Sequence, residues 1–144
     1  MSAIRLRNNG NRRPVHALAA NRVALRAYTA LAMMAAGTAR REEWLDLADS
    51  ANIVEALIEL GKYDEGARPL VDAAVAGLVV AMRCPQGMMR MGPAISAMCE
   101  VVGLHDEAVS KFSQDTLRRA FDLVCERIYT ARAANDPGVT VVEG

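Results

Sequence analysis

Apolar residues recur at helical spacing over most of this chain, and the spacing predicts a series of amphipathic helices. The first predicted helix runs from about residue 15 to 36, is rich in alanine, and ends at Gly37. Its apolar positions follow a heptad-like pattern, which predicts a buried stripe formed by Leu18, Leu25, Tyr28, Ala32 and Ala35.

A second helix is predicted from about residue 41 to 60, with acidic residues in its first turn and Gly61 after its end. Its apolar stripe consists of Trp44, Leu47, Ala51, Val54 and Ile58. A third helix opens at Asp64 or Glu65, and Asp72 is the only charge between residues 70 and 82. A helix that is apolar nearly all round is expected in the middle of a bundle.

Residues 84–87 end the third helix, and Gly92 with Pro93 starts a fourth that runs to about residue 102. A further helical segment begins at residue 106 and is either broken near Ser113 or continuous to about residue 134. Residues 139–142 have strand propensity but no evident partner. The sequence therefore predicts an all-α protein, an antiparallel bundle of four to five helices.

Residues 1–14 are polar, rich in arginine and asparagine, and lack apolar periodicity, so we predict an extended or flexible basic N-terminal arm. The length of the chain fits a single domain. The predicted organisation is an arm over residues 1–14, one helical domain over residues 15–134, and a tail over residues 135–144.

One short pattern occurs twice: glycine, any residue, an aromatic or histidine ring, aspartate, glutamate and a small residue, at residues 61–66 and 103–108. This corner resembles the interhelical turn of tetratricopeptide repeats, which implies a protein-binding groove. The 42-residue offset departs from that family's 34-residue period, so we assign no family on this corner. The alternative is that the glycine simply ends one helix and the Asp-Glu pair begins the next, as in any helical hairpin.

The charge is distributed unevenly along the chain. The first 41 residues contain eight arginines and no acidic residue, whereas all 17 acidic residues follow, with the remaining nine basic ones. The zero net charge therefore hides a basic head on an acidic body. Such a head raises the local concentration of phosphate- or carboxylate-bearing surfaces.

The sequence offers little support for catalysis or metal binding. Cys99 and His105 fall on different faces of a continuous helix, and the two histidines lie far apart in the chain. The acidic groups on the second helix, Glu55 and Glu59 among them, are interpreted as solvated faces. We expect no catalytic residue, no cofactor and no metal. A sulfur-rich junction could offer ligands to Cu(I), but a deformable apolar patch is favoured; it consists of Met82, Cys84, Met88, Met89 and Met91.

The three cysteines, Cys84, Cys99 and Cys125, form no C-x-x-C pair and are interpreted as reduced core thiols. No secretory signal is recognised, and the longest apolar run, residues 73–82, is too short to span a bilayer. We therefore expect a cytoplasmic protein without membrane contact. Faces of small residues such as Ala73, Ala74, Gly77 and Ala81 are compatible with a homo-oligomer.

These observations lead to the hypothesis of a non-catalytic protein that binds another macromolecule, most directly a protein. The expected contact residues are Arg5, Arg7, Arg12, Arg13, Arg22, Arg26, Met88, Met89 and Arg90. The alternative is a nucleic-acid-binding accessory or regulatory protein whose arm contacts phosphates through residues 1–14. A solvated leader without a partner, or an arm docked on the acidic face of a sister subunit, stays open.

Overall fold

The computed structural model describes residues 4–8, 17–84, 89–134 and 139–143, and side chains from residue 25 onward except those of Arg132 and the last strand. Two five-residue strands, β1 (Ile4–Asn8) and β2 (Val139–Glu143), pair in parallel with Ile4 opposite Val139. The tail, for which the sequence indicated no partner, thus pairs with part of the basic arm. The rest of the arm lies outside the described residues.

Five α-helices make up the body, which is an all-α bundle as predicted. They are α1 (Ala17–Ala36), α2 (Arg41–Glu59), α3 (Arg68–Met82), α4 (Ile95–Lys111) and α5 (Gln114–Ala134). Short 3-10 helices, Glu65–Ala67 and Gly92–Ala94, lead into α3 and α4. The last helical region is therefore broken at Phe112 and Ser113, as one of the two predicted alternatives required.

Glycine ends the first two helices through the same hydrogen-bonded motif. After α1, Gly37 N–H donates to the Met34 carbonyl and Thr38 N–H donates to the Met33 carbonyl. After α2, the Gly61 and Lys62 amides repeat the pattern on Ile58 and Leu57. Both glycines have positive φ, 75° and 73°, which is a left-handed conformation that L side chains rarely adopt.

The central helix of the bundle is α2. It contacts the other four helices, and its predicted stripe is completely buried. The prediction that α3 occupies the middle is wrong: among the helices α3 packs against α2 and α4, and it leaves Ala73, Ala76 and Val80 exposed. The reason is that α3 gains its apolar character from alanine and valine, which an exposed face tolerates. Gly77 permits close packing of α3, because a Cβ there would overlap Ala94.

The first helix turns a different face to the core from the one predicted. Ala27, Ala30, Leu31 and Met34 are its buried residues. The predicted stripe lies on the outside, where Leu25 is 67% and Tyr28 is 43% exposed, and Ala32 and Ala35 are exposed as well. Leu18 lies outside the residues whose side chains are described.

The second helical corner, predicted at residues 103–108, does not exist. Gly103 lies inside the continuous helix α4, and the predicted end near residue 102 is therefore wrong. A single glycine costs a helix only about 1 kcal/mol, which tertiary packing readily offsets. Buried neighbours on the same helix, Val101, Val102 and His105, supply that packing.

Candidate functional site

The sequence-predicted contact residues occupy different environments. Arg5, Arg7, Arg12, Arg13, Arg22 and Met88 lie outside the residues whose side chains are described. Arg26 is exposed and forms a salt bridge with Asp46, with Nη2 and Oδ1 3.1 Å apart. Arg26 thus already has an acidic partner in its own chain, whereas Arg90 is exposed and makes no salt bridge to any described residue.

Met89 is not a surface residue. Its side chain is only 7% exposed and belongs to the hydrophobic core. Its backbone N–H donates to the Ala39 carbonyl at 2.8 Å, which forms a bridge between the α1–α2 turn and the α3–α4 link. Met91 is buried beside it. These two methionines fill an irregular gap in the core, so the predicted role of Met89 as a partner contact is corrected.

One face of α1 forms an uncharged surface. We call it the α1 surface, and it consists of the exposed residues Leu25, Tyr28, Thr29, Ala32, Ala35 and Ala36. Exposed helix faces of globular proteins usually carry charged residues, whereas Arg26 is the only charge between residues 25 and 36. At its edge the Tyr28 hydroxyl donates to Asp106 of α4 at 3.2 Å.

Four exposed arginines lie at one end of the bundle, and we call them the arginine cluster: Arg40, Arg41, Arg83 and Arg90. Arg40 and Arg90 each follow a member of the Ala39–Met89 bridge. The indole N–H of Trp44 donates to the Leu78 carbonyl at 2.5 Å, which places the first turn of α2 beside the last turns of α3, where Arg83 lies.

The arginine cluster has no acidic partner within the described residues, since none of its members makes a salt bridge. Arg83 caps the C-terminus of α3, where the helix dipole favours a cation. Arg40 and Arg41 stand at the N-terminus of α2, where the dipole disfavours a cation by about 0.3–1 kcal/mol. The guanidinium group of Arg90 lies over Gly37, so close to its Cα that a Cβ at this position would overlap it.

Two arginines farther along the bundle, Arg68 and Arg127, are paired with glutamates. The side chain of Glu55 on α2 is only 4% exposed and lies 3.7 Å from Arg68 of α3 and 3.9 Å from Arg127 of α5. Arg127 also contacts Glu59, and Arg68 makes a two-pronged contact with Glu65 at 2.7 and 3.1 Å. We call these five residues the ionic network.

The prediction that Glu55 is solvated is therefore wrong. Its arginine partners come from α3 and α5, and a helix-face pattern of α2 alone does not reveal them. Burial lowers the pKa of Arg127, and the charge of Glu55 opposes that shift. The hydrogen bond with Arg68 lowers the pKa of the exposed Glu65 carboxyl. The ionic network joins three helices and is a structural feature.

A buried serine–histidine contact also escaped the sequence analysis. Ser50 Oγ of α2 lies 2.8 Å from Nδ1 of His105 on α4, and both residues are buried. Nucleophilic catalysis would require a substrate to reach this pair. In the observed packing the contact ties α2 to α4. The sequence places each of the two residues on an apolar helix face, but it does not indicate that the two faces meet.

All three cysteines fall within the described residues, and none forms a disulfide. The interpretation of Cys99 and Cys125 as core thiols is wrong, because both are exposed, and Cys84 is half-buried. Among the described residues, no group of histidine, cysteine, aspartate and glutamate side chains has a metal-binding arrangement. No helix in the described part of the chain combines the length and apolarity needed to cross a bilayer.

Comparisons with known proteins supply no relative. No protein-family model matches the chain, and neither a curated protein nor a solved structure is significantly similar to it.

Proposed function

We propose that this protein binds another protein through the α1 surface and adjoining arginines, without catalysis and without a cofactor. The α1 surface is the observation that carries the proposal, because an exposed helix face with no charge is typical of a surface that a partner covers. Aromatic and arginine side chains are enriched in protein interfaces, and Tyr28 and Arg26 are the residues of these types that α1 exposes between residues 25 and 36.

The arginines of the predicted contact set are part of the proposal. Arg90 adjoins Gly37 at the C-terminal end of α1, and Arg5, Arg7, Arg12, Arg13 and Arg22 belong to the basic head of the sequence. We also propose a cytoplasmic location, supported by three cysteines without a C-x-x-C pair. The partner is a different protein or a second copy of this chain, and the experiment below distinguishes the two.

The test uses the full chain and a paired set of variants. Leu25→Glu with Ala32→Glu places two charges on the α1 surface, and Thr130→Glu with Ala133→Glu places two charges on the exposed side of α5 as the matched control. Each protein is used to capture partners from native lysate after nuclease treatment, and its mass in solution is measured by light scattering. We expect a captured protein, or a dimer, that the α1 variant loses and the α5 control retains.

A nucleic-acid-binding accessory function is the second candidate, in which the arginines of residues 1–14 make the required phosphate contacts and the exposed arginine cluster adds to them. It makes a different prediction: nuclease releases the captured material, and deletion of residues 1–13 abolishes binding. Affinity for duplex DNA would fall by about 0.9 log unit per contacted phosphate for each log unit of salt. The protein-binding proposal fails if capture depends on nucleic acid, if both charge variants bind equally, or if the protein shows turnover that a single Cys or Glu substitution abolishes.

A further inference from the structure

We infer that the arginine cluster is an anion-binding surface that receives a short acidic segment of a protein partner. This inference rests on the proposed function, which it deepens by naming the chemistry of the partner. The cluster adds Arg40, Arg41 and Arg83 to the predicted contact residue Arg90.

The arginine cluster has little internal compensation. Its four exposed arginines lie at the end of the bundle where the α1–α2 turn meets residues 89–91, and none makes a salt bridge to a described residue. Glu42 and Glu43 in the first turn of α2 are the acidic residues at this end, so the arginines outnumber them by two. Like charges on one end of a bundle repel one another, and an external anion relieves that repulsion. Arginine also presents a planar fork of donors that matches a carboxylate in a two-pronged geometry.

Several contacts fix the described segments at this end of the bundle. The Ala39–Met89 backbone bridge, the buried Met89 and Met91, and the Trp44–Leu78 hydrogen bond hold the α1–α2 turn and residues 89–91 against the helices. The Arg90 side chain lies over Gly37, which offers no Cβ to displace it. A surface whose backbone is fixed before binding loses less conformational freedom when the ligand arrives.

The surroundings of the cluster indicate the chemistry of the ligand. Val80, which is 68% exposed, lies one helical turn before Arg83, so an aliphatic group adjoins the basic cluster. On α4, the exposed carboxylates Glu100, Asp106 and Glu107 outnumber the one cation, Lys111. A long polyanion such as duplex DNA that extended from the cluster along α4 would meet repelling charge. A short acidic segment with an apolar neighbour fits the cluster and Val80 together.

The experiment titrates the full chain with a ten-residue glutamate peptide and follows backbone amide and arginine Nε–H signals by nuclear magnetic resonance. We expect shifts concentrated at residues 37–41, 83 and 89–91. The variant Arg83→Glu with Arg90→Glu should bind the peptide about tenfold or more weakly. The variant Arg118→Glu with Arg119→Glu changes the net charge equally at exposed positions of α5 and should bind within about twofold of the original protein.

Circular dichroism establishes that the variants are folded, and Arg83→Ala with Arg90→Ala provides a milder second variant. The inference is overturned if the peptide leaves the cluster signals unchanged, or if the cluster and α5 variants weaken binding equally. It is also overturned if a 20-base-pair DNA duplex engages the cluster more tightly than the peptide does. If the peptide fails while the α1 variant still loses its partner, only the acidic-segment inference falls.

Discussion

Arginines at two places along the same bundle have opposite surroundings. In the ionic network, Arg68 and Arg127 contact three glutamates, one of which is buried among three helices. In the arginine cluster, four arginines are exposed and make no salt bridge to a described residue. Glu55 lies 14 residues after Arg41 on α2, so the two groups are separated by about 21 Å at the helical rise per residue.

The difference separates charge that serves the fold from charge that is available to a partner. A buried ion pair is costly to break, because the group that remains loses its compensation inside a desolvated site. An exposed, unpaired arginine contributes little to folding and can lower stability where it faces a helix N-terminus. Stability measurements should therefore distinguish the two sets of arginines before any partner is identified.

The largest effect is expected from breaking the ionic network. Glu55→Ala removes the carboxylate that faces Arg68 and Arg127, and it should lower the free energy of unfolding by about 3 kcal/mol. Urea denaturation followed by circular dichroism measures this change. Glu126→Ala, an exposed position on α5, is the control and should change the value by less than about 0.5 kcal/mol.

The same measurement on Arg83→Ala with Arg90→Ala tests the other side of the comparison. We expect a change within about 0.5 kcal/mol per residue, since both side chains are exposed and unpaired in the described structure. A loss as large as that of Glu55→Ala would show that the cluster serves the fold, and the contrast would then be wrong.

Two glycines sharpen the comparison because their helix ends are alike. Gly61→Ala imposes a side chain on a positive φ with open space around it, at an expected cost of about 1 kcal/mol. Gly37→Ala imposes the same strain and also displaces the flexible guanidinium end of Arg90, so we expect a further cost of at most about 0.5 kcal/mol. Thermal or urea unfolding of both variants gives the difference.

Arg90→Ala provides the matched test of that difference. Combined with Gly37→Ala it should recover the additional cost, whereas combined with Gly61→Ala it should recover none, because distant sites behave independently. Equal behaviour of the two pairs would mean that Arg90 does not rest on Gly37.

A smaller effect is expected from Tyr63, an uncharged contact on the same side of the bundle as the ionic network. Its hydroxyl donates to the Leu104 carbonyl at 2.7 Å, and its ring packs edge-on against Phe112 with centroids 5.3 Å apart. Burial, assisted by the charge of Glu107, raises the pKa of Tyr63 from 10.0 to about 12. Tyr63→Phe should cost about 1 kcal/mol near pH 8 through the lost hydrogen bond.

The pH dependence follows from the direction of that pKa change. The folded state favours the neutral phenol, so its contribution is complete below pH 10 and is lost as the pH rises toward about 12. The free energies of unfolding of the original protein and Tyr63→Phe should therefore converge over that interval. Tyr129→Phe, at an exposed position, serves as the control. Curves that stay parallel from pH 8 to 12 would contradict the assignment.

The sequence predicted an all-α bundle of four to five helices, and it located the ends of α1 and α2 because glycine stop signals are local features. The helix end predicted near residue 102, before Gly103, is wrong because packing carries α4 through that glycine. The stripe of α2 is correct, since charged residues mark its other face. The stripe of α1 is wrong because alanine and methionine are spread around the helix, and Ala27 and Ala32 carry the same local information. Only packing against α2 and α4 decides which face is buried.

The candidate surfaces depend on contacts that a single sequence does not display. Arg40 and Arg90 are 50 residues apart, and the Ala39–Met89 bridge brings their backbone segments together. The burial of Glu55 likewise depends on Arg127, 72 residues away. Arg90 was predicted as a contact residue from its place in a methionine-rich loop. Arg40, Arg41 and Arg83 could be assigned to the same surface only once the fold showed which helix ends lie together.

The smallest expected effect has the opposite sign from the others. Arg41 occupies the first turn of α2, so Arg41→Gln removes a cation from the positive end of the helix dipole and from the repulsion within the cluster. We expect a gain of about 0.5 kcal/mol at low salt, which shrinks in 1 M NaCl because screening removes the repulsion. Arg119→Gln, beyond the first turn of α5, should show no comparable gain. If Arg41→Gln lowers the free energy of unfolding, this arginine stabilises the fold. If the substitution raises it and also weakens binding of the glutamate peptide, the protein gives up stability for an exposed charge at a binding surface.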